Sequence, residues 1–122
     1  MTGSLRSSVA SIHVEDGILV YEYFDGAVVN DEAASETMEL GRSLVDSPLP
    51  TLVLMKKVRR VSQGARSLFS SKDNQAISRT VALVVGSPIS RVIGNFFLGL
   101  DRGNFPTRIF NDRKAATDWL RT

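Results

Sequence analysis

The chain has 122 residues, enough for one domain and little more, and 43% hydrophobic with 23% charged residues excludes a mainly disordered state. It has no cysteine and one histidine, His13, which excludes disulfides, thiolate metal sites, cysteine nucleophiles and His-rich metal centres. The net charge of +2 conceals a division: residues 1–50 carry two basic against nine acidic residues, whereas residues 51–122 carry thirteen against four.

Met1 to Ser8 is small and polar, with no apolar stretch of a signal peptide behind it. It reads as a flexible tail, leaving one domain over residues 9–122. No apolar run approaches the ~20 residues of a membrane span, so the default expectation is a cytoplasmic protein. Val9 to Glu15 alternates, with Ala10, Ile12 and Val14 on one face and Ser11, His13 and Glu15 on the other. Asp16-Gly17 is a hairpin signal, and Ile18 to Phe24 is the return strand. Within it Glu22 shares a face with Ile18, Val20 and Phe24, which predicts partial burial. Tyr21 and Tyr23 lie on the Leu19 face, as core or as the wall of a ligand pocket.

Asn30 fits a helix N-cap, with Asp31 and Glu32 in the first turn, where the helix dipole favours acids. Ala34, Met38, Gly41 and Val45 recur at helical spacing, and the helix should stop before Pro48. Gly41 costs ~1 kcal/mol relative to Ala in a helix, and close approach to a sheet accounts for it. Thr51 to Met55 is a short apolar strand buried on both faces. Ser62 can cap the next helix, which carries Ala65, Leu68 and Phe69. Val81 to Val85 is a second apolar strand.

In Gly86-Ser87-Pro88, Ser87 suits an N-cap and Pro88 the first helical position. Ile89, Val92, Ile93, Phe96, Phe97 and Leu100 follow as a buried stripe. Thr107 to Phe110 is a last strand, and Asn111 caps a final helix with Ala115, Ala116, Trp119 and Leu120 on its buried stripe. The order is ββαβαβαβα. Strand–helix units with short connections require right-handed crossovers, hence an α/β fold with a mixed, mostly parallel sheet. Helices cover that sheet and an antiparallel hairpin forms its edge.

This order resembles the STAS domain, the SpoIIAA-like fold of anti-sigma-factor antagonists, from about Val9 to the C-terminus. The stretch Val81 to Leu100, with Phe105-Pro106-Thr107-Arg108 and Ala115-x-x-x-Trp119-Leu120, is similar to small bacterial STAS/SEC14-like proteins of unknown function. The resemblance implies a non-catalytic regulatory or binding module without a cofactor. In the antagonists, the loop after the first buried strand carries Asp-Ser-Ser/Thr-Gly, and its serine is phosphorylated. Here the corresponding residues are Val61-Ser62-Gln63-Gly64; Ser62 and Gly64 match, while Val61 and Gln63 depart. Ser62 is therefore the candidate phosphorylation site.

The run from Lys56 to Arg66 holds five of the fifteen basic residues and opens a helix at a strand's carboxyl end. Ligands of parallel α/β sheets bind in that crevice. Arg59, Arg60, Ser62, Gln63, Gly64 and Arg66 are candidates for an anionic small molecule or an acidic protein surface. A solvated basic loop is the plain alternative. Gly86, Ser87, Ser90 and Arg91 form a second candidate turn, expected beside the first, although it lacks the spacing and lysine of a P-loop. Gly94 to Gly99 and Asp101 to Phe105 are weaker interaction candidates, and His13 beside Glu15 is a surface pair or a pH-sensitive one.

No acid–base constellation emerges, so an enzyme is disfavoured. The expectation is a module that binds a protein partner or its own copy at the strand-to-helix turns. The alternative is a small binder of a lipid-like or anionic ligand. A nucleic-acid binder is third, because the basic residues lack interleaved aromatics.

Overall fold

The computed structural model describes residues 4–69, 71–88, 92 and 106–122. The hairpin forms as its sequence dictates: β2 (Ala10–Glu15) returns as β3 (Ile18–Tyr23), with Glu15 opposite Ile18. The two turn residues both have positive φ, 51° at Asp16 and 78° at Gly17. That is the mirror-image turn whose twist matches the strands, and glycine adopts it without strain.

Within the segment expected as a flexible tail, Leu5–Arg6 forms an edge strand, β1, antiparallel to β2. Three contacts hold it. The Arg6 guanidinium lies 4.8 Å over the Phe24 ring. Ser7 is buried, with its hydroxyl 2.8 Å from that of Thr37. The Ser8 N–H and hydroxyl donate to Glu36 Oε1 at 3.0 and 2.9 Å. None of these partners is near in sequence, so no local pattern announces the strand.

The apolar strands are β5 (Leu49–Leu54) and β7 (Ser78–Val84), parallel to each other, with β8 (Thr107–Phe110) parallel to β7. The main sheet runs β1-β2-β3-β5-β7-β8, antiparallel over its first three strands and parallel from β3 onward. β7 starts three residues earlier than its apolar run, because Ser78 is buried and its hydroxyl accepts from Thr51 Oγ1 at 2.7 Å. A separate two-stranded parallel sheet, absent from the sequence expectation, pairs β4 (Val28–Val29) with β6 (Arg60–Val61).

Helix α1 (Asp31–Ser43) is capped by Asn30, whose side chain accepts from Ala33 N–H at 2.8 Å. Gly41 lies against Tyr21, and a Cβ there would enter the phenol. This is the close approach that the helix-interior glycine implied. Helix α2 (Gln63–Phe69) and the short α3 (Lys72–Gln75) follow β6. The last helix, α4 (Arg113–Leu120), is capped by Asp112 rather than Asn111: the Asp112 carboxylate accepts from Lys114 and Ala115 N–H, each at 3.1 Å.

One sheet face packs Ala10, Val81 and Leu83 against Ala33 and Ala34 of α1 and Ala65 of α2. The other packs Val20, Leu52 and Val84 against Ala116 and Leu120 of α4, whereas Ala115, expected on the same stripe, is exposed in the first turn of the helix. Glu22, expected to be partly buried, is exposed. The alternation places it correctly, but α4 packs over β5, β7 and β8 and leaves that end of β3 in solvent. Val92, counted on a buried stripe, is 69% exposed. The other residues of that stripe, Ser90, Arg91, and the stretches from Gly94 to Gly99 and from Asp101 to Phe105 lie outside the described residues. Among the described residues, no helix is long and apolar enough to cross a membrane.

Candidate functional site

The basic run starts where β5 ends. Lys56, Lys57, Arg59 and Arg60 are exposed, while Met55, Val58 and Val61 point into the core and anchor the loop from below. Backbone bonds fix its course. Gly26 N–H donates to the Lys57 carbonyl at 2.8 Å, Arg59 N–H to the Ala27 carbonyl at 2.9 Å, and Ser62 N–H to the Val29 carbonyl at 2.9 Å. These bonds create the β4–β6 ladder. Val29 and Val61, paired in register, are buried; Val28 and Arg60, also paired, are exposed. Strand alternation thus presents Val28 and Arg60 side by side on one outer face.

The two strand-exit turns touch. Ser87 N–H donates to the Lys56 carbonyl at 3.0 Å, and a Cβ on Gly86 would stand 3.2 Å from Lys56 Cβ. The Lys56–Gly64 loop therefore has the Gly86-Ser87 turn on one side and β4 on the other. Gln63 and Gly64 are exposed, and Ser62, Arg66 and Ser87 are half-buried.

Ser62 caps α2 as its position implies, its hydroxyl oxygen accepting from Ala65 N–H at 3.1 Å. The same hydroxyl donates to Asp31 Oδ1 at 2.5 Å. A Cβ on Gly64 would run into the Asp31 carboxylate. The anion expected at this helix start is thus supplied by the chain itself, from the first turn of α1. Ser62 and Asp31 are 31 residues apart, and no local sequence signal joins them.

Sequence reasoning also missed an open acidic groove beside the basic loop. Asp25, Val28, Glu32 and Glu36 line it, with Ser8 and Phe24. Two hydrogen bonds from Ser8 hold the Glu36 carboxyl below its ordinary range. Asp25 makes an exposed ion pair with Lys57 at 3.7 Å. At the turn end of the hairpin, Glu15 bridges His13 at 3.2 Å and Arg113 at 3.5 Å. Among the described residues, no group of three or more His, Cys, Asp or Glu could hold a metal ion.

Tyr21 and Tyr23 line a cavity of about 70 Å³ between the sheet and α2, together with Val53, Phe69, Asn74 and Leu83. Burial pushes both phenols well above their ordinary range, Tyr23 further because Tyr21 is near. The space falls short of the roughly 300 Å³ at which small-molecule sites begin.

The fold is SpoIIAA-like, as the resemblance to the STAS domain implied. It is similar to the crystal structure of an uncharacterized protein of the DUF3478 family from Shewanella loihica PV-4, which has that fold. The TM-score is 0.61 and the identity 16%, over 98% of this chain and 92% of that one. The family model for a domain of unknown function, DUF7793, matches residues 12–122, and the chain belongs to that family. No curated protein matches it.

Proposed function

We propose that this chain is a non-catalytic interaction module whose working surface is the joined pair of turns at the ends of β5 and β7. It takes an anionic group, on a protein partner or a small ligand, against Arg59 and Arg60. The observation that carries this reading is the Ser87–Lys56 hydrogen bond, which sets the second turn against the basic loop. Arg59 and Arg60 are exposed, while Met55, Val58 and Val61 hold the backbone beneath them. Such a surface is pre-organised, so binding costs little ordering entropy.

The test pairs two measurements on the Arg59→Ala, Arg60→Ala double variant. Titration with inorganic pyrophosphate should give saturable binding to the natural sequence and none to the variant, with nearly equal melting temperatures. Equal binding by both proteins contradicts the reading.

Ser62 is the proposed modification site. The Ser62 hydroxyl donates to the Asp31 carboxylate, so a phosphate there would repel that acid and push the starts of α1 and α2 apart.

A second reading, a small apolar ligand, would use the cavity beneath Tyr21 and Tyr23. A lipid-like chain requires that space to widen, and ligand-induced quenching or shifts confined to the two tyrosines would support it.

A further inference from the structure

We infer that the strip across β4 and β6 is self-complementary and pairs with the same strip on a second copy of this chain. The inference rests on the proposed reading of the basic loop and names its anionic partner: the acidic groove of another copy.

Three observations carry it. First, Val28 is 48% exposed, an unusual state for a large apolar residue held in a ladder. Second, the charges on its two sides are opposite. Glu32 stands with Val28 in the acidic groove, and Arg60 is in register with Val28 on the other side. The Arg59 side chain runs along Gly26, where a Cβ would lie 3.8 Å from its Cδ. Third, these charges are not spent on one another or on their described neighbours. Among the described residues, Glu32, Arg59 and Arg60 make no ion pair, whereas the neighbouring Asp25 and Glu36 are engaged by Lys57 and Ser8.

A patch that is acidic on one side of an apolar centre and basic on the other matches its own copy after a two-fold rotation about that centre. Residue i then meets residue j, and j meets i. With the axis at Val28, Glu32 of each copy faces Arg60 of the other, and the two Val28 side chains meet on the axis. Exposed pairs of this kind are strongly screened, so the dimer must be salt-sensitive.

The test is sedimentation velocity on the full chain at about 10 mM and about 1 M salt, where the screening length falls from about 30 Å to about 3 Å. The expected result is a reversible dimer at low salt and a monomer at high salt. Glu32→Arg and Arg60→Glu should each raise the dimer dissociation constant by roughly tenfold or more, as two symmetric attractions become repulsions. An equimolar mixture of the two variants should recover the dimer, because each then offers the charges the other lacks. Circular dichroism confirms that both variants are folded, and the mixture itself requires it. A monomer at low salt, or a dimer indifferent to both substitutions, overturns the inference. If pyrophosphate still binds that monomer at Arg59 and Arg60, the dimer fails while the interaction surface stands. If it does not bind, both fail.

Discussion

The Ser62 hydroxyl donates to the Asp31 carboxylate at 2.5 Å while accepting the Ala65 N–H at 3.1 Å, so one side chain ties the start of α2 to the start of α1. Ser62→Ala removes the cap and the tie together. The expected loss is about 1 kcal/mol, the usual cost of deleting an N-cap, read as a lower denaturation midpoint. Ser62→Glu should be worse than Ser62→Ala. An acidic residue at a helix start is ordinarily favourable, but here it faces Asp31. Adding Asp31→Asn to Ser62→Glu should recover part of the loss; no recovery would mean that repulsion is not the cause.

Gly41→Ala sets two effects against each other. Alanine improves helix propensity by ~1 kcal/mol. Its Cβ, however, enters the buried Tyr21 phenol, and overpacking of this kind costs about 1–3 kcal/mol. The expected outcome is net destabilisation in a urea melt. Pairing Gly41→Ala with Tyr21→Phe should relieve the part due to the hydroxyl, and a stabilised single variant would contradict the close approach.

Glu36 gives a pH dependence of defined sign. Hydrogen bonds from the Ser8 N–H and hydroxyl lower its folded pKa. A group whose folded pKa is depressed contributes stability above its unfolded value, about 4.3 for Glu, and that contribution is lost as pH falls through the folded value. Acid should therefore release Ser8 and loosen β1. The Ser8 amide shift should titrate with a midpoint below the ordinary carboxylate range and stop titrating in Glu36→Gln. A midpoint at or above that range would contradict the contact.

Arg108 lies 5.3 Å from the Phe110 ring and 5.6 Å from the Trp119 ring, which are themselves 5.8 Å apart and tilted at 44°. Arg108→Ala should cost about 0.5–1 kcal/mol and shift Trp119 fluorescence as the ring gains solvent. An unchanged spectrum would remove the cation from the ring face.

Much of this fold is legible because it rests on periodic burial. The Ala10–Glu15 alternation, the apolar β5 and β7, and the α1 stripe each carry their own signal. So do the Asn30 and Ser62 caps, which depend on residues three positions ahead. What escaped depends on distant partners. β1 is held by Phe24, Glu36 and Thr37, and β4 and β6 are two-residue strands that exist only as a pair. Asn111 and Asp112 are both good caps, and only the geometry of the first α4 turn selects Asp112. At the site, the basic loop and its neighbouring turn were readable from strand ends. The acid that fills the α2 start was not, because Asp31 reads locally as a first-turn residue of α1.

The turns after β5 and β7, joined by the Ser87–Lys56 hydrogen bond, are proposed to act as one binding surface. Amide chemical-shift mapping during a pyrophosphate titration tests it most directly. Lys56, Lys57, Arg59, Arg60, Gly86 and Ser87 should shift together with one saturation curve. Shifts confined to Tyr21, Tyr23 and their neighbours, with the two turns unmoved, would contradict it.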